Sequence, residues 1–330
     1  MLETKFGRHI ELGKPVEIPL RDINLKDLTF LFRYKFEIED LSDSIKQAGL
    51  INPVVLRQKE KYQIVCGFRR VFSYKFINKK LIRAFVLDKE TQDIDCVLFA
   101  LNDNYFTGNL NDIDKAMTLR KLKRNFLVGE SELINIFTTL LKMPKSKEVI
   151  KNYLAISEVE DEIKEGFLND KLNLGQLFIL SRLNASERIP IYKYIILSCR
   201  INTNELKEII EYLTFLNRKF NKTFDEILDK KIVKNKLLSG NFNPRQKTII
   251  LLNTLRDYRY PNLTKKSRRF FKISKCINIG DKLRISFPEN FEGDFVNVLL
   301  KPTSYKELVK LIGIIKTKKR HFMALFRLLK

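Results

Sequence analysis

The sequence predicts an α+β multidomain protein: an α/β domain over residues 1–110, an all-helical domain over 111–240, and a small ββα module within 241–330. Three observations predict it. The length of 330 residues exceeds what one small core usually serves. Strand-like and helix-like patterns alternate up to about residue 94, and then the strand signals vanish. They return only near the C-terminus, in DKLRISF and DFVNVLL.

Taken in order, VEIPLRDIN (16–24) reads as a short strand entering a loop. Leu41, Ile45 and Ala48 then recur at helical spacing. Asp40 and Asp43 occupy the first turns, where the helix dipole favours acids. Gly49 stops this helix, and Pro53 leads into the β-rich run VVLR. Tyr62, Ile64 and Cys66 alternate with Gln63 and Val65, which predicts a strand with one strongly apolar face. Residues 71–78 read as helix, and IRAFVLD returns to strand. Strand, helix, strand, strand, helix, strand is the pattern of an α/β domain.

Residues 111–240 are almost continuously helical in pattern, with breaks expected at Gly129, Pro144, Gly166, Asn173–Gly175 and Pro190. Asn202 and Glu205 have capping-box spacing. The third region opens near Asn243–Pro244 with a helix over about 245–257 and a Tyr/Pro/Asn turn. Two strands and the helical stretch SYKELVKLIGIIK follow. In the basic terminal stretch, Phe322, Leu325, Phe326 and Leu329 share one helical face.

Composition narrows the function. Lys and Arg number 62 against 39 Asp and Glu, a formal charge of +23 spread along the chain. Such an excess concentrates polyanions and suggests nucleic acid or an anionic membrane surface, although a basic proteome gives the same excess. Cys66, Cys96, Cys199 and Cys276 form no CxxC pair, so zinc-knuckle and thioredoxin-type motifs are unsupported; reduced thiols in a cytoplasm fit best. The N-terminus has no apolar signal core, and no apolar run approaches the roughly 18 residues of a membrane span. With His9 and His321 the only histidines, a histidine-based triad or metal site is disfavoured. P-loop and dinucleotide-binding glycine motifs are absent.

Two clusters carry candidate chemistry. In IVCGFRRVFSYK, Gly67 lies at a strand-to-helix joint. A helix N-terminus offers free N–H groups, glycine lets the backbone approach a bound group, and Arg69 and Arg70 add forked donors. Together they describe a phosphate-binding corner. Two surface arginines pairing with nearby acids give the same letters. In ALNDNYFTGNLNDIDKA, Asp103 and Asn104 could hold a magnesium ion or contact a triphosphate. A polar helix start reads the same way.

Three ordered blocks, LSDSIKQAGLINPVVLR, YQIVCGFRRVFSYK and ALNDNYFTGNLNDIDKA, resemble the ParB family of chromosome and plasmid partition proteins. In the family they read as a helix ending in a Gly-Leu-x-x-Pro turn, a GERR box, and an ENxxR box followed by L-N-x-x-E-x-A. The resemblance covers residues 16–185 and, more loosely, 240–316. It implies CTP with magnesium at these boxes. Gly67, Arg69 and Arg70 would hold the triphosphate, with Asp103 and Asn104 at the phosphates and metal. Phe68 stands where the family has Glu, and Thr107 where it has Arg. Both changes alter charge around a phosphoryl group, which leaves a weak CTPase activity open and the catalytic residues unassigned. The fold is also similar to sulfiredoxin, whose reactive cysteine would fall at Phe68. Strand alternation points Cys66 inward as a small hydrophobe.

SELINIFTTLLKMPKSKEVIKNYLAI (131–156) reads as helix, turn, helix. Leu133, Ile136, Phe137 and Leu140 line the first helix, Lys142–Lys145 turn, and Val149, Ile150, Tyr153 and Leu154 face inward from the second. Lys145, Ser146, Lys147, Lys151 and Asn152 remain outside, residue types suited to phosphates and base edges. An ordinary helix pair with a solvated lysine face fits the same pattern. The resemblance implies that this is the family's helix-turn-helix. Gln176 replaces its usual His in the segment that follows. The family's C-terminal module dimerises, and Leu308, Leu311, Ile312 and Ile315 could supply that face or fold onto their own chain.

The leading expectation is a partition protein that binds a centromere-like site on double-stranded DNA as a homodimer. It would close a clamp with CTP and lie in the cytoplasm on the nucleoid. A ParA-type ATPase would be its partner, with Lys5 and Arg8 as the N-terminal charges to meet it. The alternatives are a ParB-type transcriptional regulator without a nucleotide cycle and a nuclease or phosphotransferase on the same fold.

Overall fold

A computed structural model describes residues 12–107, 110–238, 240–287 and 295–329. Lys5, Arg8 and the side chains of Thr107 and Leu329 lie outside the described residues. The chain divides into two units, Met1–Arg188 and Ile189–Lys330.

The first unit opens with β1 (Val16–Pro19), α1 (Glu39–Ala48), β2 (Val54–Arg57), β3 (Gln63–Cys66), α2 (Phe68–Phe76), β4 (Leu81–Leu87) and α3 (Asp93–Thr107). The sheet order is β1-β4-β2-β3, with β4 and β2 parallel and the two outer pairs antiparallel. Every side chain of β2 and β3 is buried, so β3 lacks the single apolar face that its alternation predicts. Polar Gln63 is tolerated because its amide oxygen accepts from Arg57 (2.9 Å) and its amide nitrogen donates to Asp27 (2.7 Å). Arg57 is also paired with Asp93 at 2.6 Å. That burial follows from α2 and α3 packing on the sheet, with α1 packed against α2. On α1, Leu41 is half-buried and Ile45 buried, while Ala48 is exposed.

The same unit continues with α4 (Asp112–Arg124), α5 (Glu130–Glu132), α6 (Thr138–Leu140), α7 (Lys147–Ser157), α8 (Asp161–Leu168) and α9 (Leu174–Ser181), and α10 (Ala185–Ile191) spans the boundary between the units. A wide π turn, Leu133–Phe137, joins α5 to α6. Helix α4 is a fastening point. Asp114 is fully buried, shares a capping box with Asn111 and accepts from the Tyr34 N–H at 2.7 Å. Lys121 donates to the carbonyls of Leu28 and Leu31 at 2.9 and 2.7 Å. The segment 28–34 is thereby strapped onto α4.

Two expected breaks are not breaks. Gly166 lies inside α8, and the chain turns only after it, where Asp170 takes φ 56°. Pro190 lies inside α10. The ring removes one N–H from the ladder, and the chain continues through a wider turn, Tyr192–Ile196, closed by a Leu197 N–H to Tyr192 carbonyl bond.

The second unit holds α11 (Thr203–Phe220), α12 (Phe224–Leu228), α13 (Lys231–Leu238), α14 (Pro244–Arg259), α15 (Pro261–Lys275), the antiparallel pair β5 (Leu283–Ser286) and β6 (Asn297–Leu300), α16 (Tyr305–Thr317) and α17 (Lys319–Leu329). The capping box at Asn202 and Glu205 is present. The expected turn at Tyr260–Asn262 is instead the start of α15. Pro261 sits in its first turn, where a missing N–H costs no helix bond. Phe270 and Ile277 from this stretch join Leu283, Ile285, Leu311 and Leu325 in one core. Leu311 is thus committed to its own chain, with Ile315 packed against it. Among the described residues, no helix is long and apolar enough to cross a membrane.

Charge is distributed unequally. Residues 1–188 carry 31 Lys and Arg against 27 Asp and Glu, whereas residues 189–330 carry 31 against 12.

Candidate functional site

Strand β3 ends at Gly67, which takes φ 91°, a left-handed conformation that glycine adopts at little cost. A Cβ there would lie 2.8 Å from Val54 Cγ1 and 3.1 Å from the Arg70 guanidinium carbon. The space above Gly67 is therefore filled by the protein itself. Helix α2 begins at Phe68, three residues earlier than its apolar pattern indicates, so both arginines lie in its first turn. That turn has neither an acid nor a side-chain cap.

Arg70 is half-buried and held. It donates to the carbonyls of Asn52 (2.9 Å) and Pro53 (2.8 Å), and lies 3.4 Å from the Asp103 carboxylate on α3. Repulsion between the two guanidiniums is thus already offset by Asp103 and two carbonyl dipoles. Arg69 is exposed, and its Nε donates to the Glu37 carbonyl at 3.0 Å. Asn104 donates its amide N–H to Ala100 in the preceding helical turn (2.8 Å). All five candidate nucleotide residues, Gly67, Arg69, Arg70, Asp103 and Asn104, line a single open cleft of about 320 Å³.

The strapped segment supplies a wall of that cleft through Phe30, Phe32, Arg33 and Phe36, residues the motif blocks do not include. A run of aromatic and basic letters, FLFRYKF, is the signal that marks them. Phe68 is buried and also lines the cleft, so an apolar ring stands where the family carries a carboxylate. Cys66 is 3% exposed, and burial pushes its thiol well up from the ordinary range. It is an inert packed thiol.

Asp103 offers one carboxylate and Asn104 one amide oxygen for a hard cation. Among the described residues, no group of three or more His, Cys, Asp and Glu could hold a metal ion. Magnesium fits this donor set only where phosphate oxygens and water complete the shell, which is its usual habit beside a nucleotide.

The second candidate surface lies at α7. Helical residues 130–140, a turn, and α7 follow one another as the pattern predicts. Leu133, Phe137, Ile150 and Tyr153 are buried, while Ile136, Leu140, Val149 and Leu154 are half-buried. Tyr153 donates to Asp112 at the start of α4 (2.6 Å) and packs edge-on to Phe178 of α9, which fixes the pitch of α7. Ser146 caps the helix by accepting from the Glu148 N–H at 3.2 Å. Lys145, Lys147 and Lys151 are exposed, and Ser146 and Asn152 half-buried. Lys147 pairs with Glu130 at 3.0 Å. Arg182, which sequence reasoning missed, donates to the Asn152 amide oxygen at 3.2 Å and lies 3.8 Å from Glu148. Nothing local marks Arg182; only packing of α9 on α7 brings it there. Gln176 closes the capping box of α9 with Asn173, a role any side-chain amide at this position can fill.

Residues 11–104 match the model of the ParB N-terminal domain. The chain is 26% identical over 160 residues to the probable chromosome-partitioning protein ParB of Helicobacter pylori, covering 48% of this chain and 52% of that protein. It therefore spans about half the length of that relative. It is 26% identical over 267 residues to the nucleoid occlusion protein of Bacillus thuringiensis, covering 77% of this chain and 82% of that one. Among solved structures it is similar to C-terminally truncated ParB of Caulobacter crescentus complexed to the centromeric parS site. There the identity is 18% and the TM-score 0.38, covering 59% of this chain and 98% of that one. The resemblance to ParB proteins drawn from the three motif blocks is borne out.

Proposed function

We propose that this chain is a ParB-type DNA-binding protein acting in chromosome partition or nucleoid occlusion. It reads a duplex site through the start of α7 and holds CTP in the cleft beside Gly67. The observation that carries the reading is convergence. Residues from two motif blocks more than 30 positions apart meet in one cleft, inside a domain that matches the ParB N-terminal family. Arg69 offers its guanidinium to the phosphates, and the first N–H groups of α2 add dipole and donors. Arg70 positions Asp103 and the Asn52–Pro53 loop while keeping donor capacity of its own. Magnesium, held by Asp103, Asn104 and the nucleotide, would screen the triphosphate charge.

The chain acts as a homodimer through α16. Leu311 is spent on its own core, whereas Tyr305, Val309 and Ile312, spaced on one helical face, are 82%, 51% and 41% exposed. Exposed Val298 and Leu299 on β6 extend the apolar surface. A second copy is the occupant that the family resemblance implies. In this reading the protein acts on the nucleoid in the cytoplasm, with a ParA-type ATPase as the further partner that the family resemblance implies.

A second reading, DNA binding without a nucleotide cycle, is favoured by one observation: Phe68 puts an apolar ring at the family's carboxylate position. Calorimetry with CTP, ATP, GTP and UTP, each with magnesium and with and without DNA, separates the two. Binding of CTP and of no other nucleotide, with the binding free energy weakened by about 1.5–3 kcal/mol in Arg70→Ala, is the expected result. No heat with any nucleotide selects the second reading. Gly67→Ser is the poorer probe, because Val54 at 2.8 Å and the positive φ would damage the fold whether or not a nucleotide binds.

A further inference from the structure

Arg57 is the cation of β2, and it is only 3% exposed. Burying a guanidinium costs free energy unless its donors are bonded. Here Nε and Nη2 donate to the Gln63 amide oxygen (2.9 and 2.5 Å), Nη1 to the Thr91 carbonyl (2.7 Å), and Nη2 also to Asp93 (2.6 Å). A guanidinium only donates, so it fixes which way the Gln63 amide faces, oxygen towards Arg57 and nitrogen away. That nitrogen meets Asp27 at 2.7 Å. Asp27 in turn accepts from the Thr29 N–H (3.0 Å) and the Thr29 hydroxyl (2.6 Å). The next residue is Phe30, where the aromatic wall of the cleft begins. Its ring lies 5.3 Å from the Arg57 guanidinium and stacks on Phe126 at 6.0 Å.

We propose that Arg57 is a positioning residue for this cleft. Through Gln63 and Asp27 it fixes the root of the 28–36 segment, and so sets the aromatic wall against which a bound nucleotide lies. This role rests on the reading of the cleft as a nucleotide site. Arg57, Gln63 and Asp27 do not line the cleft themselves, so they act only through the segment they hold. The segment needs such a hold, because it forms no regular element. Bonds from Lys121 to Leu28 and Leu31, and from Tyr34 to Asp114, fix where it lies along α4. Asp27 fixes how it starts, since a carboxylate that accepts from the N–H two residues on bends the backbone between them. A buried polar network that served the core alone could be exchanged for apolar side chains of similar volume at little cost. One that positions cannot be, because the direction of the Gln63 amide is what reaches Asp27.

The test reverses the polarity of this relay in the full chain. Gln63→Glu keeps an acceptor for Arg57 but sets a second carboxylate against Asp27. Adding Asp27→Asn restores a donor to that contact and leaves an amide oxygen for Thr29. Gln63→Glu should speed hydrogen exchange at the Thr29 and Leu31 amides, which are bonded to Asp27 and to the Leu28 carbonyl. It should also weaken binding of CTP with magnesium by roughly tenfold to a hundredfold, the scale on which losing a group that orients binding residues acts. The double variant should recover most of both losses, a coupling that a merely structural role does not produce. No recovery, with both variants folded by circular dichroism, would overturn the proposal. Losses of CTP affinity that simply track melting temperature across the variants would overturn it too. Should Gln63→Glu unfold the domain, Arg57→Met with Gln63→Leu is the second test: apolar volume is kept and only the relay is lost. That variant should keep its melting temperature, exchange faster at Thr29 and bind CTP more weakly; binding like the parent's would overturn the proposal. A parent chain that binds no nucleotide overturns the nucleotide reading instead. Exchange at Thr29 and Leu31 in the same variants then still decides whether Arg57 holds the segment.

Discussion

Helices α7 and α15 are both basic, and they differ in what surrounds their charges. On α7, Lys147 has Glu130, Asn152 has Arg182, and Tyr153 is anchored to Asp112. On α15, five of six cations form no ion pair among the described residues, and the helix is held by its apolar face, by Thr264 on Asp257 in its first turn and by the Arg268–Asp257 pair. Donors fixed by neighbours can tell one base edge from another, because a misplaced hydrogen bond costs energy. Unfixed cations follow phosphate density wherever it lies. Residues 1–188 have nearly balanced charge and carry the positioned groups, while residues 189–330 carry the surplus.

The largest way to break the comparison is to remove the anchor of α15. Phe270 is fully buried, and Phe270→Ala should destabilise the fold around it by about 3–5 kcal/mol, read from the urea midpoint. Next in size is Asn152→Ala, expected to cost about 1–3 kcal/mol at a matched site with little change in salt slope. Lys151→Ala should do the opposite, lowering the slope by about one on every duplex. Asn152→Ala weakening matched and scrambled duplexes equally would show that α7 is only a second basic surface. Arg182→Ala tests whether the Asn152 amide must be held. Loss of that hydrogen bond should relax preference by about 1 kcal/mol without lowering stability by more than that.

The smallest expected effect concerns pH. Lys282 and Thr303 hold the Glu307 carboxyl down at about 2, from an ordinary 4.5. A depressed carboxyl stabilises the fold above its unfolded value and loses that contribution as pH falls through the folded one. The stability gap between the parent and Glu307→Gln should therefore be full above pH 4.5 and close towards pH 2. A gap that widens with acid would overturn the assignment.

Much of the fold was legible. The strand and helix order of the N-terminal domain follows from alternation, Gly49 and Gly67, because these signals are local. The capping box at Asn202 and Glu205 is local too. Helix α15 was not legible, since a Tyr-Pro-Asn string reads as a turn, and only Phe270 and Ile277 docking into a core makes it helix. The aromatic wall of the cleft escaped for a different reason. Phe30 to Phe36 forms no regular element, and the segment is held by bonds such as Tyr34 to Asp114, 80 residues apart.

By itself the sequence determined which residues could serve phosphate and base contacts: a glycine between strand and helix, two arginines after it, an Asp-Asn pair, and a lysine-rich turn before a capped helix. These depend on residue type and near-neighbour spacing, which a string of letters records. Tertiary structure alone decided which of those groups are already engaged. Arg70 is bound to Asn52, Pro53 and Asp103, Leu311 is spent inside its own chain, Asn152 is held by Arg182, and α15 is left with its cations facing solvent. The reason is physical: a side chain's free capacity is what remains after its neighbours have bound it, and those neighbours are chosen by packing between elements distant along the chain.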